Sequence, residues 1–294
     1  MIFKNRAVRT VFFIKKHMIR IGDFNTLKAV RSTSVGIFLS DDEGTEILLP
    51  NKYVPKDIVL NESLKVFCYL DHEERPVATT LRPLVARDEF AFLKVAQTNK
   101  IGAFLDWGLE KQLFVPFKEQ KVRMEEGKSY VIHCFLDELS FRLMASAKID
   151  KFIQSEQSSY NENDKVELLV SRKTNLGWEV VINNAHKGLL FFNDVFKDVK
   201  IGDKHIGYIK NVRKDGKIDV TLSPTGIEVL DVSANHLLQT LEANGGFLPL
   251  NDTSAPQEIR DTLQMSKKSF KKGVGVLYKA RKIELLDSGI RLKD

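Results

Sequence analysis

Four lysines near the C-terminus, Lys267, Lys268, Lys271 and Lys272, recur at i, i+4 spacing, so on a helix they share one face. The stretch 266–282 adds Lys279, Arg281 and Lys282 and contains no acidic residue. Like charges at this spacing oppose helix formation unless an anion lies close, and a phosphate backbone supplies that anion. Lysine without accompanying arginine, asparagine or glutamine suits contact with phosphates better than the reading of base edges.

Catalytic chemistry has no comparable cluster. The six histidines, His17, His72, His133, His186, His205 and His236, are scattered without metal-ligand spacing, and Cys68 and Cys134 form no Cys–x–x–Cys. Gly273, Val274 and Gly275 lack the third glycine of a dinucleotide loop, and no P-loop lysine exists. Asp71 and Asp137 suit hairpin turns better than paired acid–base work. The chain therefore reads as a non-enzyme with no cofactor and no metal. Its net charge of +6 favours a polyanionic partner. No apolar run approaches the roughly 20 residues of a membrane span, so no membrane partner is expected. Two cysteines in corresponding strands read as small buried residues, which points to a reducing, cytoplasmic compartment.

The elements that would position these residues come as a repeat. Ile101–Gly102–Ala103–Phe104–Leu105 is followed by Leu113–Phe114–Val115–Pro116. The same pattern precedes it as Val35–Gly36–Ile37–Phe38–Leu39 with Ile47–Leu48–Leu49–Pro50, and follows it as Leu176–Gly177–Trp178–Glu179–Val180 with Gly188–Leu189–Leu190–Phe191–Phe192. Gly36, Gly102 and Gly177 lie 66 and 75 residues apart, the spacing of a small repeated domain. Strands are expected over 24–30, 35–39, 46–49, 64–69 and 77–80 in the first copy. The second has 91–97 as its first strand and a short helical turn within 118–127. The third has strands over 165–172, 178–182, 188–192, 205–212 and 218–223. The segment 149–160 reads as a helix giving way to a linker.

Beyond Pro224 the period changes to that of helices. Ile227, Leu230, Leu237, Leu238 and Leu241 form one stripe that stops at Asn244–Gly245–Gly246. Ser254–Ala255–Pro256 opens a second helix with Ile259 and Leu263 inward. Ser266 caps a third over 267–280 with Phe270, Val274 and Leu277 inward. A hairpin over 283–292 closes the chain, giving the helix–helix–helix–wing order of a winged helix. The expected domains are an N-terminal extension over 1–17, repeat units over 18–82, 83–149 and 150–226, and the winged helix over 227–294. The first strand region is expected to begin at Met18.

The run Gly–Ala–Phe–Leu, the later Gly–Leu–Leu–Phe, Ile201–Gly202–Asp203 and a basic hairpin ending in Leu–Ser resemble the S1 RNA-binding domain, most clearly in the second and third copies. Three such copies before a C-terminal winged helix resemble the conserved virulence factor B family of bacteria, over about residues 20 to 294. The resemblance implies a mainly β multidomain protein of three tandem five-stranded OB-type barrels followed by a winged-helix domain. It also implies bases stacked on exposed aromatics beside a basic groove. Carried over, it places Phe104 and Phe191 on the binding face, with Phe38 in the corresponding place of the first copy and Arg142 and Arg75 at a phosphate- or base-contacting position. The copies depart from the pattern at Pro50, Pro116 and Glu179, so none holds the complete set. Basic residues favour the third copy: Arg172, Lys173, Lys187, Lys210, Arg213, Lys214 and Lys217 fall at strand ends and hairpins.

Three functions stay open at this point. The first is a non-catalytic protein that holds single-stranded RNA with modest sequence preference and regulates expression after transcription. The second is a regulator that places its winged helix on duplex DNA, and the third is a scaffold docked on the ribosome or another protein. The oligomeric state is not legible.

Overall fold

The computed structural model describes residues 19–154, 159–195, 198–223 and 227–293, with residues 227–232 described by backbone alone. The extension expected over 1–17, the expected strand start at Met18, and the side chains of Ile227 and Leu230 lie outside the described residues. The chain divides into two compact units at Phe152, the first holding two barrels and the second a third barrel and the winged helix.

Barrel 1 comprises β1 (Asp23–Thr33), β2 (Gly36–Ser40), β3 (Glu46–Pro50), β4 (Ser63–Leu70) and β5 (Pro76–Thr79), closed in the order β1-β2-β3-β5-β4. Barrel 2 repeats this with β6 (Phe90–Thr98), β7 (Gly102–Asp106), β8 (Leu113–Pro116), β9 (Ser129–Leu136) and β10 (Leu143–Ser146). Barrel 3 does so with β11 (Lys165–Lys173), β12 (Gly177–Ile182), β13 (His186–Phe191), β14 (Lys204–Val212) and β15 (Ile218–Thr221). Closure leaves no open strand edge.

Period-2 alternation explains the cores. Leu39, Leu105 and Val180, each three residues after the repeated glycine, are fully buried, as are their counterparts Leu49, Val115 and Leu190 on the next strand. Burial of each contributes roughly 1.5–3 kcal/mol. The glycine itself is required by close approach. A Cβ at Gly102 or Gly177 would overlap the carbonyl oxygen of Val115 or Leu190 on the adjacent strand. All three first strands also carry a bulge at the same place, between Ala29 and Arg31, Val95 and Gln97, and Val170 and Arg172. Such a bulge re-aims the residue that follows it.

The two barrels of the first unit share apolar packing. Phe67 and Tyr69 of barrel 1 join one buried cluster with Leu105, Trp107 and Leu113 of barrel 2, and the Phe67 and Trp107 rings meet edge to face at 5.8 Å. The helix expected from residue 149 is reduced to a single 3-10 turn, Ile149–Lys151. Phe152 instead folds back onto His133, rings parallel at 4.1 Å, and onto Phe135 at 5.2 Å. Burial of this ring ends the helix; residues 155–158 of the expected linker lie outside the described residues.

The winged helix comprises α1 (Ile227–Ala243), β16 (Phe247–Leu248), α2 (Pro256–Leu263), α3 (Lys267–Lys279), β17 (Ile283–Leu286) and β18 (Gly289–Leu292). Gly245 and Gly246 adopt positive φ, and the Gly246 N–H returns to the Leu241 carbonyl at 2.8 Å, ending α1. Pro256 occupies the first turn of α2, and the Glu258 carboxylate accepts from the Ala255 N–H at 3.0 Å. Leu237, Leu241, Ile259, Leu263, Phe270, Val274 and Leu277 form one buried core with Ile283 and Ile290. The wing is three-stranded, in the order β16-β18-β17, rather than the expected two-stranded hairpin. β16 is only two residues long and pairs across the domain with Arg291 and Ile290, so no local period announced it.

Candidate nucleic-acid interface

The outward face of β2, β7 and β12 is equivalent in all three barrels, and the strand register defines it. Phe38 lies opposite Leu48, Phe104 opposite Phe114, and Glu179 opposite Leu189. On the other side the residue after each bulge stands opposite the same position: Arg31 beside Phe38, Gln97 beside Phe104, and Arg172 beside Glu179. These pairs give the barrels three different faces.

In barrel 1 the Arg31 guanidinium lies 3.6 Å over the Phe38 ring and donates to Glu46 at 3.0 and 2.7 Å, so the aromatic is covered. The Arg75 guanidinium turns back to Asp71 at 2.9 and 2.8 Å within its own hairpin. In barrel 2 the half-buried rings of Phe104 and Phe114 sit 5.0 Å apart, tilted by 35°. Gln97 donates to the Gln112 amide oxygen at 2.8 Å beside them, and Arg142 ion-pairs with Glu74 of barrel 1.

Barrel 3 has the aromatic one step along. Phe191, opposite Gly177 where barrels 1 and 2 have Pro50 and Pro116, is half-buried, with Lys210 and Arg213 at 5.9 and 5.7 Å from its ring centre. Phe191 and Phe192 both stay outside the fully buried core. The basic residues expected along this rim largely have carboxylate partners. Arg172 donates to Glu179 at 2.8 Å, Lys210 to Asp194 at 2.6 Å, and Lys217 to Asp215 at 2.8 Å. Arg213 grips Asp219 through two bonds of 2.9 and 2.8 Å, which raises its pKa further. The exposed Lys217–Asp215 pair contributes little to stability, so a phosphate can compete for Lys217, whereas the other three pairs are part-buried through their carboxylates. Lys173 differs, its ammonium lying 5.5 Å from both the Trp178 and the Phe192 rings.

The lysines of α3 divide. Lys267 donates to the Ser254 carbonyl at 2.8 Å, and Lys271 reaches Asp252 at 3.3 Å. Lys268 and Lys272 are exposed and carry no ion pair among the described residues. Phe270, Val274 and Leu277 turn the opposite face of α3 into the core, which keeps the lysine face outward.

Residues 235–292 match the CvfB-like winged helix domain family, and residues 21–81 match the S1 domain family. The uncharacterized protein YitL of Bacillus subtilis is 27% identical over 92% of this chain and 92% of its own length. Conserved virulence factor B of Staphylococcus epidermidis is 23% identical over 92% and 94%. The chain is similar to both proteins over nearly its whole length. A solved multidomain protein with nucleic acid binding domains from Streptococcus pneumoniae is 24% identical, covering 93% of this chain and 98% of that one at a TM-score of 0.41. S1 and winged helix domains are nucleic-acid-binding folds, not catalytic ones.

Beside these domains, the described residues offer no group of three metal-binding side chains and no helix long and apolar enough to cross a membrane. Cys68 and Cys134 are free and buried in corresponding strands of separate barrels, and burial pushes both thiols up to about 12. Asp71 and Asp137 organise hairpins, accepting from Arg75 and Ser140. Sequence reasoning missed two groups. Trp178 stands where the repeat has Ile37 and Ala103, and that oversized residue was the available signal. Gln97 gave none, because its place on the face comes from the bulge.

Proposed function

We propose that the protein is a non-catalytic, cytoplasmic RNA-binding protein that holds single strands on its S1 barrels and winged helix and acts on gene expression after transcription. The observation that carries this reading is Phe191, an outward ring flanked by Lys210 and Arg213 at 5.9 and 5.7 Å. A base can stack on the ring beside those two cations, whose field favours its phosphates, and such stacking tolerates many sequences. Lys173 between Trp178 and Phe192 offers a second stacking position in the same barrel. Lys268 and Lys272 supply phosphate contacts from α3.

The exposed lysines of α3 also support a second reading, in which the winged helix meets duplex DNA as partner. α3 presents lysines without the Arg, Asn or Gln side chains that read base edges, which favours RNA. Salt titrations of binding to a labelled single-stranded RNA and an equal-length DNA duplex separate the two. RNA binding is expected to be tighter, and Phe191→Ala to weaken it by about 1–3 kcal/mol. Lys268→Ala/Lys272→Ala should reduce the salt slope by about two. Tighter duplex binding that only the lysine variant affects would establish the DNA reading. Binding to neither would leave a protein-docking scaffold.

A further inference from the structure

Barrel 1, whose own aromatic is covered by Arg31, takes part in the face of barrel 2 instead. Its β4–β5 hairpin closes one side of a cleft of about 480 Å³. Phe104, Phe114, Gln97 and Gln112 of barrel 2 line the cleft with His72 of barrel 1, and the Arg142–Glu74 ion pair spans the two barrels beside them. We propose that this cleft holds one unstacked nucleobase, preferentially adenine, so that the first two barrels make a single composite site. The proposal rests on the RNA-binding reading above.

Three observations support a base as the occupant. The Phe104 and Phe114 rings, 5.0 Å apart and half-buried, form an apolar platform that no cation covers, unlike Phe38 beneath Arg31. The bulge places a neutral amide, Gln97, beside this platform, where the other barrels have Arg31 and Arg172 tied to Glu46 and Glu179. The cleft also has a volume in the range that encloses a small organic ligand, roughly 300–1,000 Å³.

Adenine follows from the hydrogen-bonding inventory. The bond between the two amides uses one N–H of Gln97 and one lone pair of Gln112. Gln97 keeps its oxygen and a second N–H, a donor beside an acceptor. Adenine presents the complementary pair on both its Watson–Crick edge and its N6/N7 edge, whereas guanine, uracil and cytosine present such a pair on their Watson–Crick edge and the O6/N7 edge of guanine offers acceptors only. The purine also covers more of the two-ring platform. His72 and the Arg142–Glu74 pair line the cleft beside these groups.

The test compares a labelled uridine-tract RNA with the same strand carrying one central adenosine, by fluorescence anisotropy on the full chain. The wild type is expected to bind the adenosine strand about tenfold more tightly. Gln97→Ala/Gln112→Ala should bring the two strands within about twofold, and His72→Ala should narrow the ratio through barrel 1 alone. Both glutamines sit outside the buried cores, so these variants retain the fold. Equal binding by the wild type, or a preference that survives the double variant, overturns the proposal. If both strands bind equally and Phe191→Ala weakens both, the cleft proposal alone falls. If neither strand binds, the RNA reading falls with it.

Discussion

Acidification should destabilise the first unit through His133, by an amount its surroundings define. This side chain is 5% exposed on β9, pressed between the Phe152 ring at 4.1 Å and the Phe90 ring at 4.5 Å, and its buried Nδ1 has no hydrogen-bond partner. Burial disfavours the imidazolium and lowers the pKa from 6.5 to about 4, although Asp88 nearby pulls the other way. Because the folded pKa lies below the unfolded one, the unfolded chain binds the extra proton between those values. Stability is therefore complete above about pH 6.5 and is lost as pH falls from there toward 4. At 1.36 kcal/mol per pH unit of pKa difference, the full effect is about 3 kcal/mol, of which about 2 kcal/mol is lost between about pH 7.5 and pH 5.

Urea melts at several pH values measure this, with Trp178→Phe as background so that Trp107, in the core of barrel 2, reports alone. His133→Phe keeps a flat ring between Phe90 and Phe152 and has no proton to gain. The His133→Phe protein should lose about 2 kcal/mol less than its parent over that interval. Parallel losses in the two proteins would refute the reasoning and place the acid sensitivity elsewhere.

Two further outcomes concern stability and reactivity. Ser266→Ala removes the oxygen that accepts from the Ser269 N–H at 3.0 Å, and should lower winged-helix stability by about 1 kcal/mol, read from the far-UV helix signal on thermal melting. Cys68 and Cys134 should resist a thiol reagent at neutral pH in the native protein and react together only in denaturant, because burial and thiols pushed up to about 12 withhold the thiolate.

The three barrels share one fold and differ at one cross-strand pair. Arg31 with Phe38, Gln97 with Phe104, and Arg172 with Glu179 occupy the same positions, and each combination presents a different surface. A covered ring, an open ring beside an amide, and a buried-edge ion pair with its aromatic moved to Phe191 follow from a few substitutions on the same strand topology. The face differs from barrel to barrel, while the repeated glycine and the inward leucines and valines keep each barrel closed.

The sequence by itself determined the elements. Alternation with period two, the glycine that each close strand approach requires, and the helical stripe of Leu237 and Leu241 with its Gly245–Gly246 stop are local signals. They yielded a threefold strand repeat and the helix–helix–helix–wing order without tertiary information, while the barrels were implied by the resemblance to the S1 domain. The face was only half legible. Aromatic positions such as Phe104 and Phe191 follow from the resemblance to the S1 domain, but whether a cation beside them is available depends on which carboxylate the strand register and hairpins bring to it. Arg172, Lys210 and Arg213 read as an open basic rim in sequence, yet each meets an acid 6 to 16 residues away. Arg142 meets one in a different barrel. The β1, β6 and β11 bulges, the two-residue β16 and the cleft between the first two barrels are likewise tertiary outcomes. Backbone periodicity is written in neighbouring residues, whereas charge pairing and enclosure depend on segments that only the closed fold brings together.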